Sequence, residues 1–188
     1  MSENPRKIIC LSGKRKCGKD YFAENLHNRL PGSVILRLSG PIKEHWAKEL
    51  KLNFEELLSD TLYKEQYRAQ MIAWSEDVRS KDPSFFCRAA IEMYKGANHP
   101  FWVVSDMRRK TDCLFFRTNF PGKVIFVRLH APDEARAKRG FKFQLGVDDS
   151  ESECGLDQEN NWDFEICNDG HQSLEGHFQA LSAICLSS

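Results

Sequence analysis

The sequence predicts a three-layer α/β fold around a five-stranded parallel sheet. Three observations lead there: five short apolar β-type runs, helical patterns between them, and a glycine-lysine loop directly after the first run. Strands that alternate with helices favour a parallel sheet joined by right-handed crossovers.

The runs are Lys7–Leu11, Val34–Leu38, Phe101–Val104, Lys123–Leu129 and, more weakly, Asp163–Cys167. They are apolar without clean alternation, as strands covered on both faces should be. Asp20–Leu30 places Phe22, Leu26 and Leu30 on one helical face. Lys64–Lys81 spaces Tyr67, Met71, Trp74 and Val78 by four, three and four. Ser84–Lys95 follows Pro83, a helix-start signal, and Thr111–Asn119 and His171–Leu186 complete the set. The stretch of about 41–99 is a helical insertion between the second and third strands, unlike a plain βαβ unit. A core is therefore expected at about 5–40, 100–130 and 162–188, with a lid at about 133–161.

Composition narrows the function. The 188 residues suit one domain, 1–188, with a mobile lid. Lysine plus arginine and aspartate plus glutamate both number 27, so no global basic field supports nucleic-acid binding. Charge is instead patterned, with basic clusters at Lys14–Lys16, Arg108–Lys110 and Arg136–Arg139 and an acidic one at Asp148–Glu153. Such clusters in a neutral chain suit small anionic ligands. Seven cysteines, an odd number with no C-x-x-C pair, read as buried free thiols in a reducing compartment. No run approaches the ~18 apolar residues of a membrane span, and the polar start MSENPRK does not read as a signal peptide. The expectation is a cytosolic monomer whose partners are small molecules only, with no nucleic acid and no membrane.

The loop Gly13–Asp20, GKRKCGKD, fits G-x-x-x-x-G-K between a strand and a helix. Its glycines let backbone N–H groups point inward at phosphate oxygens, and the following helix aims its positive end there. Lys19 supplies a mobile charge for the β- and γ-phosphates of a nucleotide. Lys14, Arg15 and Lys16 add charge, although KRK also reads as a solvated turn or a nuclear-localisation run. Asp20 stands where serine or threonine usually ligates Mg²⁺; its carboxylate is either another hard oxygen ligand or a helix cap.

Ligands of open α/β sheets bind beyond the carboxyl ends of the strands. The third strand ends in Ser105-Asp106-Met107-Arg108-Arg109: Asp106 to orient Mg²⁺, Arg108 and Arg109 to clamp phosphate. A helix start with surface arginines is the alternative. Lys43 follows the Ser39-Gly40-Pro41 turn in the first turn of a helix, where a cation is unfavourable unless a ligand answers it. Lys64, Arg68, Arg79 and Arg88 lie on the insertion, with at most three of the four expected on the ligand. Arg136 and Arg139, neighbours on a helix, lead into an aperiodic stretch from Phe141 to Asn161. That arrangement suits a lid that keeps water from a transferred phosphate, or else a solvated helix. Asn168, at the end of the fifth strand, contacts base or substrate, or forms a turn. The histidines have no metal-ligand spacing.

The motifs GKRKCGKD, LRLSGPIKE at Leu36–Glu44, YKE at Tyr63–Glu65, DPSFFCR at Asp82–Arg88, VSDMRR at Val104–Arg109 and GVDDSESECGLD at Gly146–Asp157 resemble the animal-type phosphomevalonate kinases. These belong to the nucleoside-monophosphate-kinase-like P-loop fold. The resemblance implies transfer of the ATP γ-phosphate to (R)-5-phosphomevalonate with Mg²⁺, a step of the mevalonate route to isoprenoids and sterols. It implies that Lys14, Arg15, Lys16, Cys17, Gly18, Lys19, Asp20, Arg136 and Arg139 meet ATP, and that Lys19, Arg108, Arg109 and Arg139 are catalytic. Lys43, Lys64, Arg68, Arg79, Arg88 and Asn168 fall to the substrate, and Asp20 and Asp106 to the metal. Cys17 stands where serine is usual, and Asp169 where histidine is. A kinase for another phosphorylated acceptor, such as a nucleoside monophosphate, and a non-catalytic nucleotide-binding protein are the alternatives.

Overall fold

The computed structural model describes residues 5–58 and 66–187. Its strands are β1 (Lys7–Ser12), β2 (Val34–Leu36), β3 (Phe101–Val104), β4 (Val124–His130) and β5 (Phe164–Cys167), in the spatial order β2-β3-β1-β4-β5. All pairings are parallel. Among the described residues the helices are α1 (Lys19–Arg29), α2 (Gly40–Leu50), α3 (Phe54–Leu58), α4 (Arg68–Lys81), α5 (Phe85–Met93), α6 (Lys110–Asn119), α7 (Asp133–Lys138), α8 (Glu151–Cys154) and α9 (Glu175–Leu186).

The period of two along β1 sorts its side chains into two cores. Ile9 and Leu11 pack under α1 and α9, with Phe22, Leu26, Phe178 and Leu181. Ile8 and Cys10 point the other way and meet Leu36, Trp102, Cys87 of α5 and Phe116 of α6. The sheet is thus a middle layer dry on both faces, which is why its strands read as continuous apolar runs. Cys10, Cys17, Cys87, Cys113 and Cys185 are buried free thiols, as expected, but Cys154 is half-buried and Cys167 exposed. Burial pushes Cys113 up to about 12 and Cys185 to about 11, so neither is a nucleophile at neutral pH.

Two boundaries differ from expectation because a carboxylate takes up backbone N–H groups. β2 ends at Leu36 because the N–H groups of Leu38 and Ser39 go to the Asp106 carboxylate, at 2.6 and 3.0 Å, rather than to a ladder. α9 starts at Glu175 because Asp169 Oδ1 accepts the N–H groups of His171 and Gln172 and holds that stretch in a turn. The aperiodic stretch 141–161 contains one helical turn, α8. The helix expected over Lys64–Lys81 is seen from Arg68 onward; Lys64 and the Tyr63–Glu65 motif lie outside the described residues.

Candidate active site

β1 ends at Ser12, and Gly13–Gly18 curl over the carboxyl edge of the sheet into α1. Close approach fixes the loop glycines. A Cβ on Gly13 would meet the Leu129 carbonyl at 2.5 Å, and one on Gly18, where φ is 98°, would meet Asn168 Nδ2 at 2.3 Å. Asn168 is buried behind the loop, where its Nδ2 donates to the Cys17 carbonyl at 2.9 Å. Lys19 is buried too, and its ammonium donates to the carbonyls of Gly13 at 2.6 Å and Lys14 at 3.0 Å. Asp20 follows as the second residue of α1, beside the positive helix end. The cap position belongs to Gly18, so Asp20 does not cap the helix.

The cleft in front of this loop is lined by Lys16, Lys19, Asp20, Arg37, Lys43, Arg68, Arg79, Ser105, Asp106, Arg108, Arg109, Arg139 and Glu153. Two of its arginines, Arg79 and Arg109, are held by carboxylates. Asp112, fully buried, accepts the backbone N–H of Arg109 at 3.0 Å and a guanidinium N–H of Arg79 at 2.7 Å. Arg109 pairs with Glu76, yet its Nε and Nη1 are buried without a hydrogen-bond partner among the described residues, and burial pulls its pKa below the usual range. Donors left like this mark a place where an anion belongs.

The segment after β4 lies on the phosphate loop. Arg136 donates to the Arg15 carbonyl at 2.9 Å and stacks on Phe141. Arg139 reaches the carbonyls of Cys17, at 3.3 Å, and Asn168, at 2.9 Å. From the acidic stretch, Asp148 pairs with Arg15 at 2.9 Å and Asp157 with Lys14 at 2.5 Å. Glu153 goes deepest: it accepts the backbone N–H of Arg15 at 2.9 Å and pairs with the Arg108 guanidinium. Burial alone would raise its pKa, but Arg108, Lys19 and the Arg15 N–H outweigh that and hold it below the usual carboxylate range. Arg108 is raised in turn, the Glu153 charge outweighing burial. A carboxylate thus rests against groups suited to a phosphate.

A profile of the phosphomevalonate kinase family matches residues 11–122. A Drosophila melanogaster protein described as phosphomevalonate kinase is 47% identical over 167 residues, covering 87% of this chain and 88% of its own. The chain belongs to the phosphomevalonate kinase family. Solved structures similar to it include a gluconokinase from Sinorhizobium meliloti (TM-score 0.53, 17% identity, 97% of this chain and 93% of that one) and a tunicamycin resistance protein from Deinococcus radiodurans (TM-score 0.50, 17% identity, 95% and 94%). At that identity they bear on the fold alone, which is the P-loop kinase fold.

In this phosphomevalonate kinase family member the cleft gathers Arg15, Lys16, Gly18, Lys19, Asp20, Lys43, Arg68, Arg79, Asp106, Arg108, Arg109 and Arg139 of the residues singled out from sequence. Others stand apart from it. Arg88 is exposed, pairs with Asp82, and borders a separate surface hollow on α5, so the structure does not bring it to the cleft. Asn168 and Cys17 support the loop from behind, and Lys14 and Arg136 hold the segment that covers it. Sequence reasoning missed Asp112, Glu76, Glu153, Arg37 and Ser105. An aspartate three residues after the helix-start Arg109 was a readable signal for Asp112. The others depend on partners distant in sequence.

Proposed function

We propose that this protein transfers the γ-phosphate of ATP to (R)-5-phosphomevalonate, forming 5-diphosphomevalonate and ADP. One observation carries this within the family: the cleft has two cationic walls. The phosphate loop with Lys19 supplies one, and Lys43 of α2, Arg68 and Arg79 of α4 and Arg109 after β3, lining the same cleft, supply the other. A single nucleotide needs one such wall. A second fits an acceptor that is itself a phosphate.

The chemistry follows from charge. An oxygen of the acceptor phosphate attacks the γ-phosphorus, and the bond from that phosphorus to the β–γ bridging oxygen breaks, leaving ADP. The nucleophile is already an anion near neutral pH, so no general base is required. The barrier is repulsion between two anions, and fixed cations lower it most where water is excluded. Lys19 would leave the Gly13 and Lys14 carbonyls for the β- and γ-phosphates. Arg108 would exchange Glu153 for the transferring phosphoryl group, and Arg109 would offer its unpaired donors to the acceptor. Arg136 and Arg139 would hold the covering segment on the loop, limiting hydrolysis.

Asp20 and Asp106 would hold Mg²⁺, whose charge would help neutralise the negative charge developing on the transferred phosphoryl group. The side chains suit it. Asp20 and Asp106 both face the cleft, and Mg²⁺ is commonly held by one or two carboxylates, substrate phosphates and water. Both Asp106 oxygens already accept backbone N–H groups, which orients them while leaving lone pairs free.

The reading includes a core, a substrate-binding helical region and a lid in one domain, acting as a cytosolic monomer on small molecules. Among the described residues no helix is long and apolar enough to cross a membrane. Phosphorus NMR of a reaction with ATP, Mg²⁺ and phosphomevalonate tests the activity. Coupled diphosphate resonances of a new product, appearing with ADP in equal amount, are expected. ADP formation unaffected by phosphomevalonate would refute it.

A further inference from the structure

We infer that Arg37 and Ser105 form the subsite that receives the carboxylate of the acceptor. This rests on the phosphomevalonate reading, in which the acceptor carries a phosphate at one end and a carboxylate at the other. The parallel register pairs Leu36 with Val104, and the Ser105 N–H donates to the Leu36 carbonyl at 3.0 Å. The next residues, Arg37 and Ser105, therefore stand side by side at the carboxyl ends of β2 and β3, and both line the cleft.

Among the described residues neither is engaged by a carboxylate, unlike three other arginines of the cleft. Arg79 is engaged by Asp112, Arg108 by Glu153 and Arg109 by Glu76. The Arg37 guanidinium makes no hydrogen bond or ion pair among the described residues. Ser105 Oγ, fully buried on the cleft wall, has no hydrogen-bond partner among the described residues. A buried hydroxyl is rarely left unpaired unless something outside the chain completes it.

The chemistry of the pair favours a carboxylate over a phosphate. A planar guanidinium presents two parallel N–H groups to two carboxylate oxygens, and a neighbouring hydroxyl donates a third hydrogen bond. Asp106 adjoins Ser105, and a carboxylate at this end of the wall repels a dianion more than a monoanion. The acceptor phosphate is left to Lys43, Arg68, Arg79 and Arg109. The pair would thus set selectivity for acceptors that carry an acid remote from the phosphate.

The test compares phosphomevalonate with its carboxyl methyl ester, using the wild-type protein, Arg37→Met and Ser105→Ala. Arg37→Met should raise KM for phosphomevalonate by roughly 30-fold or more, with little change in KM for ATP. The ester should cost the wild type a similar factor and cost Arg37→Met almost nothing further, because the same contact is already gone. Ser105→Ala should raise the same KM several-fold with no fall in melting temperature, since its hydroxyl has no hydrogen-bond partner among the described residues to lose. That variant answers the question independently if Arg37→Met folds poorly. Wild-type turnover of phosphomevalonate with an unchanged KM in either variant, or multiplying losses from Arg37→Met and the ester, would overturn the subsite alone. No wild-type turnover of phosphomevalonate would overturn the acceptor assignment and this inference with it.

Discussion

Lys19 and Glu153 show how single charges are managed at this site. Lys19 is buried, its ammonium held by the carbonyls of Gly13 and Lys14, so it braces the loop it is meant to serve. Replacing it with methionine keeps the apolar stem and removes the charge. Turnover should fall by about a hundredfold or more, the scale of losing one preorganised charge. Circular dichroism should show the fold retained, and near-normal turnover in folded protein would remove Lys19 from the chemistry.

Glu153 carries a pH signature. Its pKa in the folded protein lies below that of a free carboxylate because Arg108, Lys19, Arg68 and the Arg15 N–H face it. A depressed folded value stabilises the protein above the unfolded pKa, and that stabilisation is lost as pH falls through the folded one. Urea midpoints of the wild type should therefore decline on acidification. Glu153→Gln should start lower at neutral pH and decline less steeply. Parallel pH curves for the two proteins would show that Glu153 is not held in this way.

At the scale of elements, α7 and the segment to residue 161 join the phosphate loop through Arg136, Arg139, Asp148, Glu153 and Asp157. Charge was legible in the sequence: KRK at the loop, and an acidic run whose periodicity matched no regular element. Which acid of the segment meets which base of the loop was not, because those pairs lie 133 to 143 residues apart. The shortened β2 has the same origin, since the carboxylate that ends it sits 68 residues away. By contrast the strands, the stripe of α4 and the phosphate loop rest on local periodicity and spacing, and were readable. The covering segment also gives a prediction. Among the described residues Arg139 donates to main-chain carbonyls and to Asn168 Oδ1, so its main effect should come once a phosphoryl group is in flight. Arg139→Met should lower kcat far more than it weakens ATP binding measured by calorimetry. Equal loss of affinity and kcat/KM with kcat unchanged would instead make Arg139 a ground-state contact.

For the whole molecule, zero net charge hides a strong separation: cations converge on one edge of the sheet, and acids from a later segment come down to meet them. The all-parallel order β2-β3-β1-β4-β5 makes this possible, bringing the carboxyl ends of β1, β2 and β3 to the same side. Stability and function draw on the same charges here. On the proposed reading the second set of cations serves an acidic phosphate acceptor rather than a nucleotide base. A coupled assay of ADP release, run with phosphomevalonate and with AMP, CMP and UMP, tests this most directly. Cations left unpaired by a poorer ligand discriminate strongly, so kcat/KM for phosphomevalonate should exceed that for each nucleotide by at least about a hundredfold. Comparable kcat/KM with any of the nucleoside monophosphates would contradict the account.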